Sequence, residues 1–372
     1  MPTLYSALRP LLFRASPEGA HHLSIRAGKL GQRAPGVLRA VFRSGLSREQ
    51  AARLSVRALG LEFANPIGVA AGLDKNAELI PMWAAVGLGF CEVGSISALP
   101  SAGNPKPRAF RLPEDRALVN RMGLNNHGLD AIARRIERTR RPAGFPLAIN
   151  IVKTHDPSIL GDAGIQDFAA SARRLLPLAD LLVLNVSCPN TTEGKTFEDP
   201  EALEPLLDAV MRVRAELAST VPVLVKLSPP ATVDFDSAAV DELVDLSLER
   251  GIAGFVATNT ASDRAGLRTS PGRLDAIGRG GLSGAPLASR AEALVRHLAR
   301  RAGDRAVIIG VGGIDSPEEA YRRIRAGASL VELYTGLVYE GPGLIPRTAR
   351  RLVELLDADG LELLEDAVGL DR

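Results

Sequence analysis

From residue 54 onward the chain alternates short, almost wholly apolar runs with longer amphipathic stretches. The runs are 66–71, 90–97, 146–152, 181–187, 221–228, 254–259, 306–314 and 330–336. Apolar character at nearly every position, rather than at every second one, fits strands covered on both faces by helices. Stretches 200–217, 237–249, 287–302 and 316–326 carry the helical period between them. Eight such units in about 280 residues predict an α/β fold, a closed (β/α)8 TIM barrel rather than an open doubly wound sheet. No internal repeat or low-complexity linker divides the barrel, which is expected over 46–372 with a helix at its end.

Residues 1–45 have a different texture. Leu4, Leu8, Leu11 and Leu12 fall at helical spacing, and Ser16-Pro17-Glu18 supplies an N-cap, a proline at the first helical position and a first-turn acid. Val37, Leu38, Val41 and Phe42 make a further apolar pair of rows. Such helices either pack on the domain behind them, or present an apolar surface that lies on a bilayer or admits an apolar ligand.

Charge changes this picture more than composition does. At 46% hydrophobic and 24% charged residues the chain is an ordinary globular one, and with 4% aromatics its core must be aliphatic. The total charge of +2 hides an asymmetry: residues 1–57 hold ten Arg/Lys against Glu18 and Glu49, a net +8, leaving −6 for the rest. A basic arm on an acidic body suits a membrane surface or nucleic acid. The arm lacks stacking aromatics and any recognised binding motif, so no nucleic-acid partner is expected. Cys91 and Cys188 are too few for a disulfide framework and suit a reducing compartment. No run of about 20 apolar residues is long enough to span a membrane, and no export signal is expected.

In such barrels the chemistry sits at the C-terminal ends of the strands. Read in order, those ends carry Gly72-Leu73-Asp74-Lys75, Ser95, Asn150, Asn185, Lys226, Thr258-Asn259-Thr260, Gly312-Gly313 and Tyr334-Thr335-Gly336. One polar residue in a buried strand is usually a satisfied core group. Polar groups at nearly every strand end call for a ligand. The glycines after the seventh strand, with Thr335-Gly336 after the eighth, leave bare amides where this fold binds phosphate. Lys75 and Lys226 suit a flavin, because a cation near the ring stabilises its reduced, anionic form. Lys226 lies within an apolar strand and needs a charged partner. Cys188, just past the fourth strand, is a candidate general base, and 189–199 reads as a mobile loop able to cover a substrate. Asn120, Asn125 and Asn126 lie in the long connection after the second strand and offer paired donors and acceptors to a planar substrate.

Taken together, Ala70-Ala71-Gly72-Leu73-Asp74-Lys75, Asn120-Arg121-Met122-Gly123-Leu124-Asn125-Asn126, Thr258-Asn259-Thr260, Gly281-Leu282-Ser283-Gly284 and Ile309-Gly310-Val311-Gly312-Gly313-Ile314 resemble dihydroorotate dehydrogenase. The basic extension, with Pro17-Glu18-Gly19-Ala20-His21, is similar to that of the quinone-dependent class 2. The resemblance implies an FMN enzyme of pyrimidine biosynthesis that oxidises dihydroorotate to orotate. FMN would meet Ala71, Gly72, Leu73, Asp74, Lys75, Ser95, Asn150, Asn185, Lys226, Thr258, Gly284, Gly313, Tyr334 and Thr335. Substrate would be held by Lys75, Asn120, Arg121, Met122, Gly123, Leu124, Asn185, Asn190, Asn259 and Thr260. Quinone would pass His21 and Arg108 beneath the extension. A monomer bound peripherally to the cytoplasmic side of the cell membrane is expected, with no metal. Cysteine at 188 resembles the soluble class 1, whereas class 2 members usually carry serine there. That difference keeps fumarate or NAD as the alternative acceptor.

Overall fold

The computed structural model describes residues 4–187 and 197–372. Eight parallel strands close into a ring: β1 (Ile67–Val69), β2 (Phe90–Ile96), β3 (Leu147–Ile151), β4 (Leu181–Asn185), β5 (Val223–Leu227), β6 (Gly254–Ala257), β7 (Val307–Val311) and β8 (Leu330–Leu333). Each pairs in parallel with its neighbour in the sequence, the β2–β3 pair shifting register between Val93 and Ile96, and β8 returns to β1 through Val331 opposite Ile67. Nearly every strand residue is buried, as apolar runs sandwiched between the barrel interior and the helices must be. The eighth run ends sooner than predicted, at Leu333, because Thr335 already opens a helix, Thr335–Glu340. A hairpin, Val56–Ala58 with Leu61–Phe63, closes the N-terminal end of the barrel, where Phe63 meets Phe90 edge-to-face at 5.5 Å. Gly68 makes that packing possible: a Cβ there would lie 2.3 Å from the Phe90 ring.

The C-terminal end is built by two insertions. Strands Ala109–Leu112 and Ala117–Asn120, from the connection after β2, pair antiparallel with each other, and Ala117–Asn120 pairs on its other side with Gly281–Gly284 from the sixth unit. A small core of Leu112, Val119, Leu282 and Leu287 holds this sheet to the barrel. The extension forms α1 (Leu4–Leu12), α2 (Pro17–Gly31) and α3 (Pro35–Val41). The expected cap of α2 is present, with the Ser16 hydroxyl accepting from the Gly19 amide at 3.1 Å. α3 and α2 pack on the helix Ile80–Ala85, and α1 packs on Thr335–Glu340.

Candidate active site

A single cavity of about 730 Å³ runs from the C-terminal mouth of the barrel to the underside of α1–α3. Its walls change character along the way. At the barrel end they are Ala71, Gly72, Leu73, Lys75, Ser95, Asn120, Met122, Gly123, Leu124, Asn185, Lys226, Thr258, Asn259, Thr260, Gly284, Gly313, Tyr334 and Thr335. At the other end they are Leu12, Phe13, His21, Ile25, Leu38 and Phe42, facing Leu79, Met82 and Trp83. The ends of every strand but β3 thus converge on one space.

Its deepest charged group is the Lys226 ammonium, 2.9 Å from Glu92 of β2 and 3.8 Å from Glu332 of β8. All three are buried, so two carboxylates share one cation. Glu92 is fully bonded, accepting from Lys226, from Asn150 at 2.6 Å and from the Ala71 amide at 3.2 Å. Burial works against its charge, but Lys226 and these hydrogen bonds hold it below the usual carboxylate range. No described group donates to either Glu332 oxygen. Burial, and then the charge of Glu92, push Glu332 well above that range and favour its neutral acid form. The Lys226 charge is therefore balanced once.

Around this core the amides form a chain. Asn185 donates to Ser95 at 3.0 Å, Asn259 donates to Asn185 at 3.1 Å and to the Ser187 hydroxyl at 2.9 Å, and the Asn259 carbonyl accepts from the Thr260 amide at 2.8 Å. Lys75 donates to Asn125 at 2.6 Å. Burial draws its ammonium down to about 8, with the charge of Arg108 adding to the effect. Burial likewise lowers His21, to about 4, with Lys75 contributing, so this wall carries a neutral imidazole. The turn after β7 is left-handed at Gly312 and Gly313, and a Cβ at 313 would lie 2.4 Å from the Ala288 Cα. Only glycine brings that backbone to the cavity.

The matching family model, described as dihydroorotate dehydrogenase, covers residues 53–356. The chain belongs to the dihydroorotate dehydrogenase family. A Nocardia farcinica protein named dihydroorotate dehydrogenase (quinone) is 44% identical, over 99% of this chain and 97% of its own. A Thermobifida fusca protein of the same name is 44% identical, over 97% and 94%. The crystal structure of Eimeria tenella DHODH in complex with ferulenol superimposes with a TM-score of 0.85 at 31% identity, covering 98% of each chain.

Within this family frame, four expected site residues stand elsewhere. Asp74 is buried but turned away, accepting from the amides of Glu78 and Leu79 and from the Trp83 indole. Arg121 points outward, donating to the carbonyls of Ile277 and Pro107 and lying 4.7 Å from the Phe110 ring centre. Asn150 sits behind Glu92 rather than on the wall, and its carbonyl oxygen has no partner among the described residues. Arg108 is committed to Glu18, while Arg111, one strand turn further on, lines the cavity and lies 4.6 Å from the Phe13 ring centre. Cys188, Asn190 and nearly all of the expected loop fall outside the described residues. Glu92 and Glu332 were missed, although Lys226 called for an acid: they are the only carboxylates within the eight apolar runs.

The donor set suits a flavin phosphate. Lys226 stands at the cavity floor, and the β7 and β8 turns offer Gly313, Thr335 and Gly336 to an anion. A volume of 730 Å³ is in the range of cofactor sites.

Proposed function

We propose that this chain oxidises (S)-dihydroorotate to orotate in pyrimidine biosynthesis on a bound FMN, with a membrane quinone as electron acceptor. The observation that carries the reading is the continuity of one cavity from an amide-lined barrel mouth to an apolar passage under α1–α3. FMN held by the β7 and β8 turns and Lys226 would supply a two-electron acceptor between the hydride of C6 and the quinone.

The chain's own groups do the rest. Asn120, Asn185, Asn259 and Thr260 face one end of the cavity and match the amide and carbonyl edges of a dihydropyrimidine. Lys75 places a cation where a substrate carboxylate can meet it. Cys188 follows Ser187, whose hydroxyl is held by Asn259, and takes the C5 proton on its sulfur. The other end is lined by Leu12, Phe13, Leu38 and Phe42, with the neutral His21 among its polar groups.

The extension has a second apolar surface facing outward. Leu8, Leu11, Leu23, Leu30, Val37 and Val41 are 46–68% exposed. Arg14, Arg26, Arg33, Arg39 and Arg43 are exposed beside them. That combination suits peripheral contact with an anionic bilayer at the cytoplasmic face of the cell membrane. No helix of the described residues is long and apolar enough to cross one. The protein acts there as a monomer.

Purified protein should be yellow, and dihydroorotate should bleach it anaerobically; a flavin that stays oxidised overturns the activity. Rates with quinone, fumarate and NAD, with and without residues 1–45, decide the acceptor. Loss of the quinone rate alone on truncation is expected. A fumarate or NAD rate above the quinone rate would reassign the acceptor to the one Cys188 resembles.

A further inference from the structure

Arg323, on the helix Pro317–Arg325 behind β7, is the largest side chain wholly removed from solvent. A buried guanidinium normally has a carboxylate beside it, because the uncompensated charge is costly to desolvate. Arg323 forms no ion pair with any described residue. Glu292, whose field reaches it, is engaged by Arg296 at 2.9 Å. Its donors go to backbone carbonyls instead: Val311 at 3.4 Å, Gly312 at 3.0 Å and Ala288 at 3.0 Å. Its Nε has no partner among the described residues.

Two of those carbonyls belong to the turn that lines the cavity. The Val311 carbonyl and the Gly312 N–H are opposite ends of one trans peptide, and the Gly312 carbonyl and the Gly313 N–H are opposite ends of the next. The Val311 carbonyl also accepts from the Thr258 amide at 2.8 Å, so Arg323 is its second and longer donor, whereas the Gly312 carbonyl is held by Arg323; fixing each carbonyl on that side turns the N–H group of its peptide the other way. Neither amide donates to another described residue, and both glycines line the cavity. A cation on the carbonyl end also polarises each peptide and makes its N–H a stronger donor.

We propose that Arg323 is a positioning residue and counter-charge for a phosphate monoester held on the Gly312-Gly313 turn, acting through those two peptides and not by contact. It is then what makes the site prefer a phosphorylated flavin to an unphosphorylated one. This rests on the flavin reading above and extends it to a residue outside the cavity wall.

The test titrates flavin-free, full-length protein with FMN and with riboflavin, following flavin fluorescence, for the unmutated chain and for Arg323→Met, Arg323→Gln and Arg323→Lys. The FMN-to-riboflavin affinity ratio should fall at least about tenfold in the neutral variants and stay within about threefold in the lysine variant. Riboflavin affinity itself should change little. Equal weakening of both flavins, or a lysine variant that behaves like methionine, overturns the proposal.

Should neither neutral variant fold, phosphorus NMR of the unmutated holoenzyme decides. The bound phosphate should stay dianionic well below the ordinary second pKa of about 6, and titration near that value overturns the proposal. Failure of the unmutated chain to bind either flavin is a different result, which removes the flavin reading and this proposal with it.

Discussion

Glu18 of α2 receives Arg108, 90 residues further along the chain, through a short Nη2 contact at 2.8 Å and longer Nε contacts at 3.3 and 3.4 Å. Both side chains are buried, and Arg108 also donates to the carbonyls of Ala102 and Asn104. The pair fastens the extension to the insertion after β2. Removing one partner strands the other charge, at a cost of about 3–5 kcal/mol. Arg108→Leu and Glu18→Leu should therefore each expose α1–α3 to hydrogen exchange while the barrel stays protected. The quinone-dependent rate should fall with them. Unchanged exchange in α1–α3 would show that the pair does not hold the extension.

The same anchorage should weaken in acid. Burial depresses His21 from 6.5 to about 4, so its contribution to docking is present above 6.5 and is lost as pH falls towards 4. Glu18 is also held below its ordinary value: burial opposes this, but Arg108 overrides it. Its contribution is therefore present above about 4.5 and lost at still lower pH. Protection of α1–α3, taken relative to the intrinsic exchange rate at each pH, should fall between pH 7 and 4, and His21→Phe should flatten the upper half of that profile. A profile unaffected by the substitution would exclude His21 as the sensor.

Glu92 and Glu332 should respond oppositely to amide replacement. Glu92→Gln removes the bonded counter-ion of Lys226 and should lower stability by about 3 kcal/mol in urea unfolding. Glu332 is protonated in the folded chain and ionised in the unfolded one at neutral pH, so its raised value costs stability as pH climbs above about 4.5. Glu332→Gln should match or exceed the unmutated protein at pH 7 and lose that advantage near pH 4. A clear loss of stability at pH 7 would mean that Glu332 is ionised.

Cys188→Ala should leave flavin bound yet slow its reduction by dihydroorotate at least about a hundredfold, the usual scale for losing a general base. Cys188→Ser should restore part of the rate, with its pH profile moved upward, because an alcohol is far more basic than a thiol. Stopped-flow flavin reduction reads both. Reduction at the unmutated rate in the alanine variant would remove Cys188 from the proton transfer.

The barrel was legible because each of its strands is apolar at almost every position, a pattern few other structures need. The antiparallel sheet over the mouth was not. Its strands are four residues long, and Asn120 meets Gly281 across 161 residues, a pairing no local period announces. Of the polar strand ends, Ser95, Asn185, Lys226, Thr258, Asn259 and Thr335 line the cavity, whereas Asp74 and Asn150 are engaged elsewhere. Arg108, Arg111 and Arg121 were harder: each is a long cation in or beside a short strand, and only the packed sheet decides which faces inward. Asp74 was misread for a related reason, since a carboxylate in a glycine-rich turn serves equally to cap the helix that follows.

The extension is fastened at three places: α1 to the eighth unit, where Tyr5 donates to the Val338 carbonyl at 2.6 Å, α3 to the first, and α2 to the insertion of the second. Units eight, one and two are neighbours around the closed ring, so the helices form an awning over one arc of the mouth and leave the arc of strands four to six to other parts of the chain. A polar molecule and an oily one would thus approach the same chamber from opposite compass points. Neither would need to leave for the other to arrive, and neither approach requires the ring to open.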